Sequence, residues 1–191
     1  RMRERLVELI PEFDLFEDGD LREKCLRTWE VAMAEGGWQP DDLARLPFTL
    51  LINPCPASFI DHVRGVTLVS LRSAEVFAEI YGDTLPINRD YLLAGALLHD
   101  IGKLVEYEMR EDGTAVQTAK GALLRHPFTG MELAARFGLP DAVQHMIATH
   151  ASEGDKVQRI TEATIINHAD FMNFHSLLRL TTAKEPAARM G

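Results

Sequence analysis

The longest apolar stretch of the chain opens the sequence YLLAGALLHDIGK at residues 91–103, whose last part contains polar residues. Eight of the nine residues before His99 are apolar or glycine, and a helix that is apolar around its whole circumference is typical of a buried helix. The stretch ends in a His-Asp pair, and Lys103 follows three residues after Asp100. Burying an imidazole beside a carboxylate is costly without a partner such as a metal ion. The pair His99-Asp100 is therefore the first functional candidate.

Amphipathic spacing predicts a long helix over Phe59–Tyr81, before the central stretch. Its buried face consists of Val63, Val66, Ser70, Ala74, Phe77 and Tyr81. His62 lies one residue before this face, so its side chain can lean toward the core. Asn88 or Asp90 can cap the central helix that follows.

The first quarter of the chain also has helical spacing. Asp20 and Glu23 resemble a capping box that opens a helix, and Gly36-Gly37 is a natural end for that helix. Residues 12–20 are acidic and are predicted to form a solvated loop. This part of the chain is therefore predicted to be helical and peripheral.

Three more helices are predicted after the central stretch. His126-Pro127 places a proline at a first helical position, and Gly138 is a natural helix end. Residues 162–180 form the last long helix, and Asp170 lies within its apolar face. Asp112-Gly113 marks a tight turn that short strands can flank. The pattern as a whole predicts an all-α bundle with little or no sheet.

Composition and charge narrow the classes of function. The chain has 191 residues and a formal net charge of −9 with no basic run, which argues against a general binder of nucleic-acid backbones. No apolar stretch is long enough for a membrane span, and the N-terminal residues have no signal-peptide core. The two cysteines are too few for a disulfide framework or a thiolate zinc site. A soluble protein of the reducing cytoplasm is therefore expected.

Histidines and aspartates from separate predicted helices are candidate metal ligands. They are His62, His99, Asp100, His126, His150 and Asp170. A lone histidine on an apolar helix face is usually an ordinary core residue, but several such residues on different helices favour a shared site. Nitrogen and carboxylate ligands without thiolates suit zinc, iron, manganese, nickel or cobalt.

The remaining histidines are predicted to lie outside this set. At 100° per residue, His145 is about 140° around its helix from His150, so only one of the two can share the apolar face. His168 is about 160° from Asp170 on the last long helix. His168 and His175 are therefore expected at the surface.

The order His62, then His99-Asp100, then Asp170 resembles the H…HD…D signature of the HD-domain superfamily. The sequence HDIGK at residues 99–103 is close to the HDIG form of that signature. The resemblance covers roughly residues 59–174. It implies an all-α metal-dependent phosphohydrolase in which the four matching side chains hold one metal ion. Within the family, the chain is most similar to small HD proteins related to bacterial 3'-5' exoribonucleases.

Members of that family with two metal ions add two histidines between the HD pair and the last aspartate. His126, in an HPxxG context, and His150 match them, and the resemblance then implies that Asp100 bridges the ions. Many such members have a His-His pair where this chain has His150-Ala151, which disfavours a third ion. The GYP signature of the cyclic-dinucleotide phosphodiesterases is absent, which argues against that activity. The resemblance thus implies two divalent transition-metal ions, from Fe, Mn, Ni, Co or Zn.

Residues near the ligands are candidates for catalysis and substrate binding. A metal ion lowers the pKa of bound water from about 16 toward ~7, so hydroxide becomes available at neutral pH. Asp100 and Lys103 are the predicted catalytic residues, and Lys103, Arg64 and Arg125 are the predicted substrate contacts. Each cation has a simpler interpretation, because Lys103 lies at a helix end that favours cations and the arginines can form plain ion pairs.

The sequence therefore predicts a phosphomonoesterase or phosphodiesterase that acts on a nucleotide or another small phosphorylated metabolite through metal-activated water. Two alternatives stay open. One is a mixed-valence di-iron oxygenase of the HD type, since iron accepts the same ligands. The other is a non-catalytic metal-containing protein that binds a ligand. The expected partner is a small phosphorylated substrate, with no membrane and no nucleic acid.

The chain is predicted to divide into three parts. Residues 1–50 form an N-terminal helical segment that packs on the core, residues 51–180 form the HD domain, and residues 181–191 form a tail. The N-terminal segment either covers the pocket or forms a dimer contact, so a homodimer is an open alternative.

Overall fold

The computed structural model describes residues 1–182 of the chain. Its α-helices, in chain order, are α1 (Met2–Leu9), α2 (Gly19–Gly36), α3 (Pro40–Leu43), α4 (Phe59–Tyr81), α5 (Arg89–Leu98), α6 (Lys103–Glu106), α7 (Ala119–Leu123), α8 (His126–Arg136), α9 (Asp141–Thr149) and α10 (Thr161–Thr182). Short 3₁₀ segments lie at Pro11–Leu15, Gly82–Thr84 and Ser152–Gly154. The predicted all-α bundle is confirmed over the described residues.

A small hairpin follows α6. Strand β1 (Tyr107–Met109) pairs antiparallel with strand β2 (Ala115–Gln117). Gly113 lies in the connecting turn with a φ of +81°, a left-handed conformation that favours glycine. The turn predicted from the Asp-Gly pair is therefore confirmed, and short strands do flank it.

Helix α5 is the centre of the fold and contacts α2, α4, α9 and α10. Every residue from Leu92 to Leu98 is buried, as expected for a helix that is apolar on all sides. Asn88 caps its first turn by accepting the Tyr91 backbone N–H at 3.0 Å. His99-Asp100 follows the last turn, so the pair lies in the interior of the bundle.

Helix α4 begins at Phe59 and ends at Tyr81, as the hydrophobic spacing predicts. The side chain of Ser58 accepts the Asp61 N–H, and the Asp61 carboxylate accepts the Ser58 N–H, which makes a reciprocal capping box. The box fixes the first turn of the helix. His62 is located in this turn and faces the interior.

The turn between α5 and α6 brings α8 close to the His-Asp pair. A Cβ atom on Gly102 would collide with the carbonyl oxygen of His126 and would lie 2.8 Å from the Gly130 nitrogen. The N-terminus of α8 therefore approaches this turn at a distance that only glycine permits. This close approach places His126 beside Asp100.

Helix α2 begins with a different cap from the one predicted. Asp18 is its N-cap, and the Asp18 side chain accepts the backbone N–H groups of Asp20 and Leu21. The predicted capping box of Asp20 and Glu23 is therefore wrong, because Asp18 already provides the acceptor for this helix end. The predicted end of the helix is confirmed, since Gly37 follows it with a left-handed φ of 75°.

The predicted solvated loop at residues 12–20 is wrong in its first part, which forms a 3₁₀ turn. Phe13 is fully buried against Trp29, with ring centroids 6.3 Å apart. This aromatic contact draws the acidic segment into the core. Glu12 is buried as a result, and an ion pair with Arg64 compensates its charge.

The N-terminal segment contacts the central helix directly, because Trp29 Nε1 donates to the Leu97 carbonyl at 3.1 Å. The predicted boundary near residue 50 stays a prediction. Helix α10 continues to Thr182, two residues into the predicted tail, and residues 183–191 lie outside the described residues. Among the helices that the structure describes, none has the length and apolar character needed to cross a bilayer.

Candidate metal centre

The predicted ligands converge from separate helices at the middle of the bundle. The side chains form two groups of three, and within each group the ligand atoms lie within 4.8 Å of one another. The first group is His62, His99 and Asp100, and the second is Asp100, His126 and His150. All of these side chains are buried. Of the residues that the structure describes, Asp100 alone belongs to both groups.

The two carboxylate oxygens of Asp100 face different groups. Oδ2 lies 3.3 Å from Nε2 of His62 and 3.4 Å from Nε2 of His99. Oδ1 lies 3.2 Å from Nε2 of His126 and 3.5 Å from Nε2 of His150. The carboxylate is therefore placed to bridge two adjacent cation positions.

Asp170 extends the first group from α10. Its Oδ1 atom lies 3.1 Å from His62 Nε2, and its side chain is 16% exposed. Burial raises the pKa of Asp170, but it is outweighed, chiefly by the hydrogen bond with His62, and that pKa falls to about 2. The ionised carboxylate can therefore serve as a fourth ligand of the first group.

Backbone carbonyls orient two of the four imidazole rings. Nδ1 of His99 lies 2.7 Å from the Ala96 carbonyl oxygen, and Nδ1 of His150 lies 2.7 Å from the Ile147 carbonyl oxygen. A carbonyl oxygen only accepts, so both rings carry their proton on Nδ1 and present the lone pair of Nε2 to the centre. This is the tautomer that a metal ligand needs when it binds through Nε2.

A carboxylate orients the third ring, that of His126. The Glu106 Oε2 atom accepts from Nδ1 of His126 at 3.0 Å and from its backbone N–H at 2.7 Å. Burial raises the pKa of Glu106, but the hydrogen bonds from His126 outweigh burial, so that pKa lies below its usual value. The charged carboxylate therefore keeps the proton on Nδ1 and leaves Nε2 free.

The fourth ring, that of His62, is held by stacking. It lies against the Phe48 ring with centroids 4.2 Å apart and an interplanar angle of 18°. Its Nδ1 atom is buried and has no hydrogen-bond partner within residues 1–182. The orientation of His62 thus depends on packing and on its neighbours at Nε2.

The arrangement fits divalent metal ions. Nε2 of His62 lies 3.3 Å from Nε2 of His99, and the same distance separates the Nε2 atoms of His126 and His150. In His126 and His150 the proton is on Nδ1, so the lone pairs of their Nε2 atoms face each other and repel unless a cation lies between them. Oδ1 of Asp100 is buried without a hydrogen-bond donor among the described residues, which costs free energy that a cation would recover. Imidazole and carboxylate donors suit zinc, iron, manganese, nickel and cobalt.

Lys103 is buried beside Asp100. Its Nζ atom lies 2.7 Å from Asp100 Oδ2 and donates to the Phe48 carbonyl at 2.8 Å. Burial opposes ionisation of Asp100, but it is outweighed, chiefly by the charge of Lys103, and the pKa of that carboxyl lies well below its usual value. Burial likewise opposes the charge of Lys103, but Asp100 raises its pKa above the usual value. Lys103 is 7% exposed, so the alternative of a surface lysine is wrong.

A cavity of about 310 Å³ borders the centre. Its polar lining includes Asp100, Lys103, Glu106, Arg125, His126 and Asp170. Its apolar lining includes Phe48, Leu50, Leu51, Phe171 and Phe174. The cavity therefore has carboxylates and two cations on its polar wall and apolar side chains on the rest.

The predicted substrate arginines differ in position. Arg125 lines the cavity, with Nε 3.0 Å from Glu153 Oε1 and Nη1 3.4 Å from Glu106 Oε1. Arg64 does not line this cavity, and its Nε atom lies 3.0 Å from the Glu12 carboxylate. The structure thus brings Lys103 and Arg125 to the cavity and turns Arg64 toward the N-terminal segment.

The other histidines lie outside the centre. His145 is half-buried and accepts the Ile160 backbone N–H at 3.3 Å, on a different face of α9 from His150. His168 and His175 are exposed. Their predicted surface positions are confirmed.

Sequence reasoning missed two residues that shape the centre. Glu106 is a carboxylate between the apolar residues Val105 and Tyr107, one turn after Lys103, and this acid within a buried stretch was a usable signal. Phe48 gave no signal, because it precedes α4 in an irregular segment and reaches His62 only through the fold.

Comparison with known proteins gives a family and two curated relatives. A family model described as HD domain matches residues 59–172. The chain is 37% identical over 112 residues to dihydroneopterin 2',3'-cyclic phosphate phosphodiesterase of Methanocaldococcus jannaschii, an alignment that covers 58% of this chain and 44% of that protein. It is 28% identical over 115 residues to 3'-5' exoribonuclease YhaM of Listeria welshimeri, covering 54% of this chain and 35% of that protein. No solved structure is significantly similar.

The aligned part of the chain spans less than half the length of either relative. The family match covers more than half of this chain and contains every one of the predicted ligands. The resemblance drawn from the His-Asp signature is thereby confirmed: the chain belongs to the HD domain family.

Proposed function

We propose that this protein is a metal-dependent phosphohydrolase that cleaves a phosphodiester or phosphomonoester of a small metabolite. The observation that carries the proposal is the position of Asp100 between two buried ligand groups at the edge of a cavity. Bound divalent ions would supply activated water and neutralise charge on a phosphoryl oxygen. His62, His99, Asp100 and Asp170 would hold one ion, and Asp100, His126 and His150 the other.

The chain's own cations would orient the phosphoryl group. The ammonium of Lys103 has three N–H donors, and two of them are directed to Asp100 and the Phe48 carbonyl. The third remains for a phosphoryl oxygen in the cavity that Lys103 lines. Arg125 reaches the same cavity with a guanidinium that suits phosphate geometry.

We propose a substrate of about the size of a mononucleotide, with a planar ring. A cavity of about 310 Å³ lies at the lower end of the range for small-ligand sites. Phe171, Phe174 and Leu51 give it apolar walls, and such walls suit the face of a heterocycle. The name of the archaeal relative, a phosphodiesterase of a 2',3'-cyclic phosphate, supports a cyclic phosphodiester as the bond that is cleaved.

The proposal is tested with metal-free protein that is reloaded separately with Mn²⁺, Co²⁺, Ni²⁺, Zn²⁺ or Fe²⁺. Each form is assayed against 2',3'-cyclic and 3',5'-cyclic nucleotides, nucleoside monophosphates and nitrophenyl phosphate esters. We expect phosphoester cleavage with at least one ion and no cleavage by the metal-free protein. Failure of every metal-loaded form on the whole panel would contradict the proposal. Oxygen uptake by the iron form without phosphoester cleavage would instead favour the oxygenase alternative.

Replacing Arg125 by methionine is expected to raise KM for the best substrate about 10-fold while kcat changes less. Hydrogen bonds to charged groups contribute about 1.5–3 kcal/mol, and the lower end applies because the Arg125 side chain is 48% exposed. Steady-state kinetics measure the change. Arg136→Met is the matched control, because Arg136 is the last residue of the helix that Arg125 precedes and likewise pairs with two carboxylates, those of Glu35 and Glu132. An equal KM in the Arg125 variant and the wild type would exclude the phosphate contact.

Replacing Phe171 by alanine is expected to raise KM about 10-fold for a nucleoside 2',3'-cyclic phosphate. Base stacking on an aromatic side chain contributes roughly 1–3 kcal/mol, and Phe171 lines the cavity. The KM for glycerol 1,2-cyclic phosphate, which has no ring system to stack, should stay unchanged. Phe128→Ala is the control, because Phe128 is 48% exposed and lies outside the cavity lining. Parallel losses on both substrates would argue against ring binding.

A further inference from the structure

Glu106 is a buried carboxylate whose two oxygens serve different neighbours. The residue is 2% exposed. Its Oε2 atom accepts from Nδ1 and from the backbone N–H of His126, at 3.0 and 2.7 Å. Its Oε1 atom accepts from Gln117 Nε2 at 2.9 Å and from Arg125 Nη1 at 3.4 Å. One carboxylate thus contacts a metal-ligand candidate on one side and a substrate-binding candidate on the other.

The surrounding chain leaves Glu106 little freedom to move. A Cβ atom on Gly121 would lie 2.6 Å from Cγ of Glu106, so α7 packs directly on this side chain. The Glu106 carbonyl accepts the Thr118 backbone N–H at 2.8 Å. The backbone and the side chain of Glu106 are therefore fixed by the segment 118–121 as well as by His126.

The support of His126 differs in kind from that of the other histidines in the centre. His99 and His150 are oriented by the carbonyls of Ala96 and Ile147, which a side-chain substitution leaves in place. Within the described residues, His126 is the one ring of the centre whose Nδ1 is held by a side chain. A substitution at Glu106 can therefore release this ring while the other rings keep their hydrogen bonds.

We infer that Glu106 is a positioning residue that controls the cation held by Asp100, His126 and His150, separately from the cation at His62 and His99. Hydrogen-bond partners of ligating histidines fix the tautomer and raise ligand basicity, and their loss typically lowers metal affinity about 10–100-fold. Because His126 is the one ligand that Glu106 contacts, replacing Glu106 should lower the affinity for one of the two ions and not for the other. The inference rests on the proposed metal binding by His126 and does not depend on the substrate.

The test is a calorimetric titration of the metal-free full-length protein with Co²⁺. Glu106→Leu should lower the affinity for one of the two Co²⁺ ions by about 10–100-fold and leave the affinity for the other unchanged. Glu106→Gln keeps an oxygen that can accept from Nδ1 of His126, so the loss of Co²⁺ affinity in this variant should be several-fold smaller than in Glu106→Leu. Gln117→Ala is the matched control, because it removes a partner of Oε1 and leaves the bonds to His126 intact.

A second measurement, by NMR, reports on the hydrogen bond of His126 directly and needs neither a metal affinity nor an activity. In the zinc-loaded protein, the Nδ1 proton of His126 should give a downfield NMR signal that exchanges slowly with water. The signal should persist in Gln117→Ala, exchange faster in Glu106→Gln and disappear in Glu106→Leu. If Glu106→Leu does not fold, Glu106→Gln tests the inference instead. The affinity for the same ion should then be lower than in the wild type, and the Nδ1 proton of His126 should exchange faster.

The outcomes separate this inference from the proposed function. Unchanged affinity for both ions in the Glu106 variants would overturn the inference, and so would equal weakening of both ions at an unchanged Tm. Wild-type protein that binds Co²⁺ normally would leave the proposed function standing in either case. Wild-type protein that binds no divalent ion would overturn the proposed function and this inference together.

Discussion

Replacing Asp100 by alanine is expected to lower turnover by at least about 10³-fold, because the change removes an oxygen from both ligand groups at once. It should also destabilise the metal-free protein by about 3–5 kcal/mol, since Lys103 would then be a buried ammonium without its carboxylate partner. Steady-state kinetics and urea unfolding measure the two effects. A variant that kept a tenth of wild-type turnover would contradict the bridging role.

The double variant Asp100→Ala with Lys103→Met separates the two effects. Replacing both members of a buried ion pair by apolar groups is often neutral for stability, so the free energy of unfolding should recover most of its loss. Turnover should stay at or below the level of the single variant, because the carboxylate ligand is still missing and the Lys103 donor is lost as well. Recovery of turnover together with stability would show that Asp100 acts only through folding.

Removing divalent ions with a chelator is expected to reduce turnover to background and to lower the Tm by about 5–10 °C. An ion present at 100 times its Kd stabilises the folded state by about 2.7 kcal/mol. In the metal-free protein, the facing Nε2 atoms of His126 and His150 repel each other, and Asp100 Oδ1 has no hydrogen-bond donor among the described residues. Thermal unfolding with and without the chelator measures the shift.

Asp100→Asn is the control for the chelation experiment. The amide keeps the volume of the carboxylate but loses its charge, so added ions should bind weakly and the chelator should leave the Tm of this variant unchanged. Turnover in the wild type should return when a single transition metal is restored. Turnover that survives exhaustive chelation would contradict metal dependence.

The hydrophobic pattern predicts the framework of the site well. The amphipathic spacing gives α4 with the bounds that the structure has, from Phe59 to Tyr81. The apolar stretch before His99 predicts a buried helix, and α5 is buried on all sides. Both predictions succeed because helical period and burial depend on the local order of apolar residues, which the sequence contains in full.

Predictions that depended on distant contacts, or on competition between neighbouring acids, were less complete. The acidic residues after Pro11 resemble a solvated loop, yet Phe13 draws Glu12 into the core through its contact with Trp29. The N-cap of α2 is Asp18 and not the predicted Asp20, since neighbouring acids compete for the same backbone donors. The contact of Arg64 with Glu12 likewise links two segments that the sequence gives no reason to pair.

The sequence by itself determined the long helices, the chemical type of the ligands and their order along the chain, because these follow from residue identity and local periodicity. The tertiary structure alone decided which oxygen of Asp100 faces each ligand group, that Glu106 holds His126 and that Phe48 stacks on His62. The physical reason is that distances between side chains on different helices depend on how those helices pack. A one-dimensional pattern specifies which face of a helix is buried, but it does not specify which neighbour that face meets.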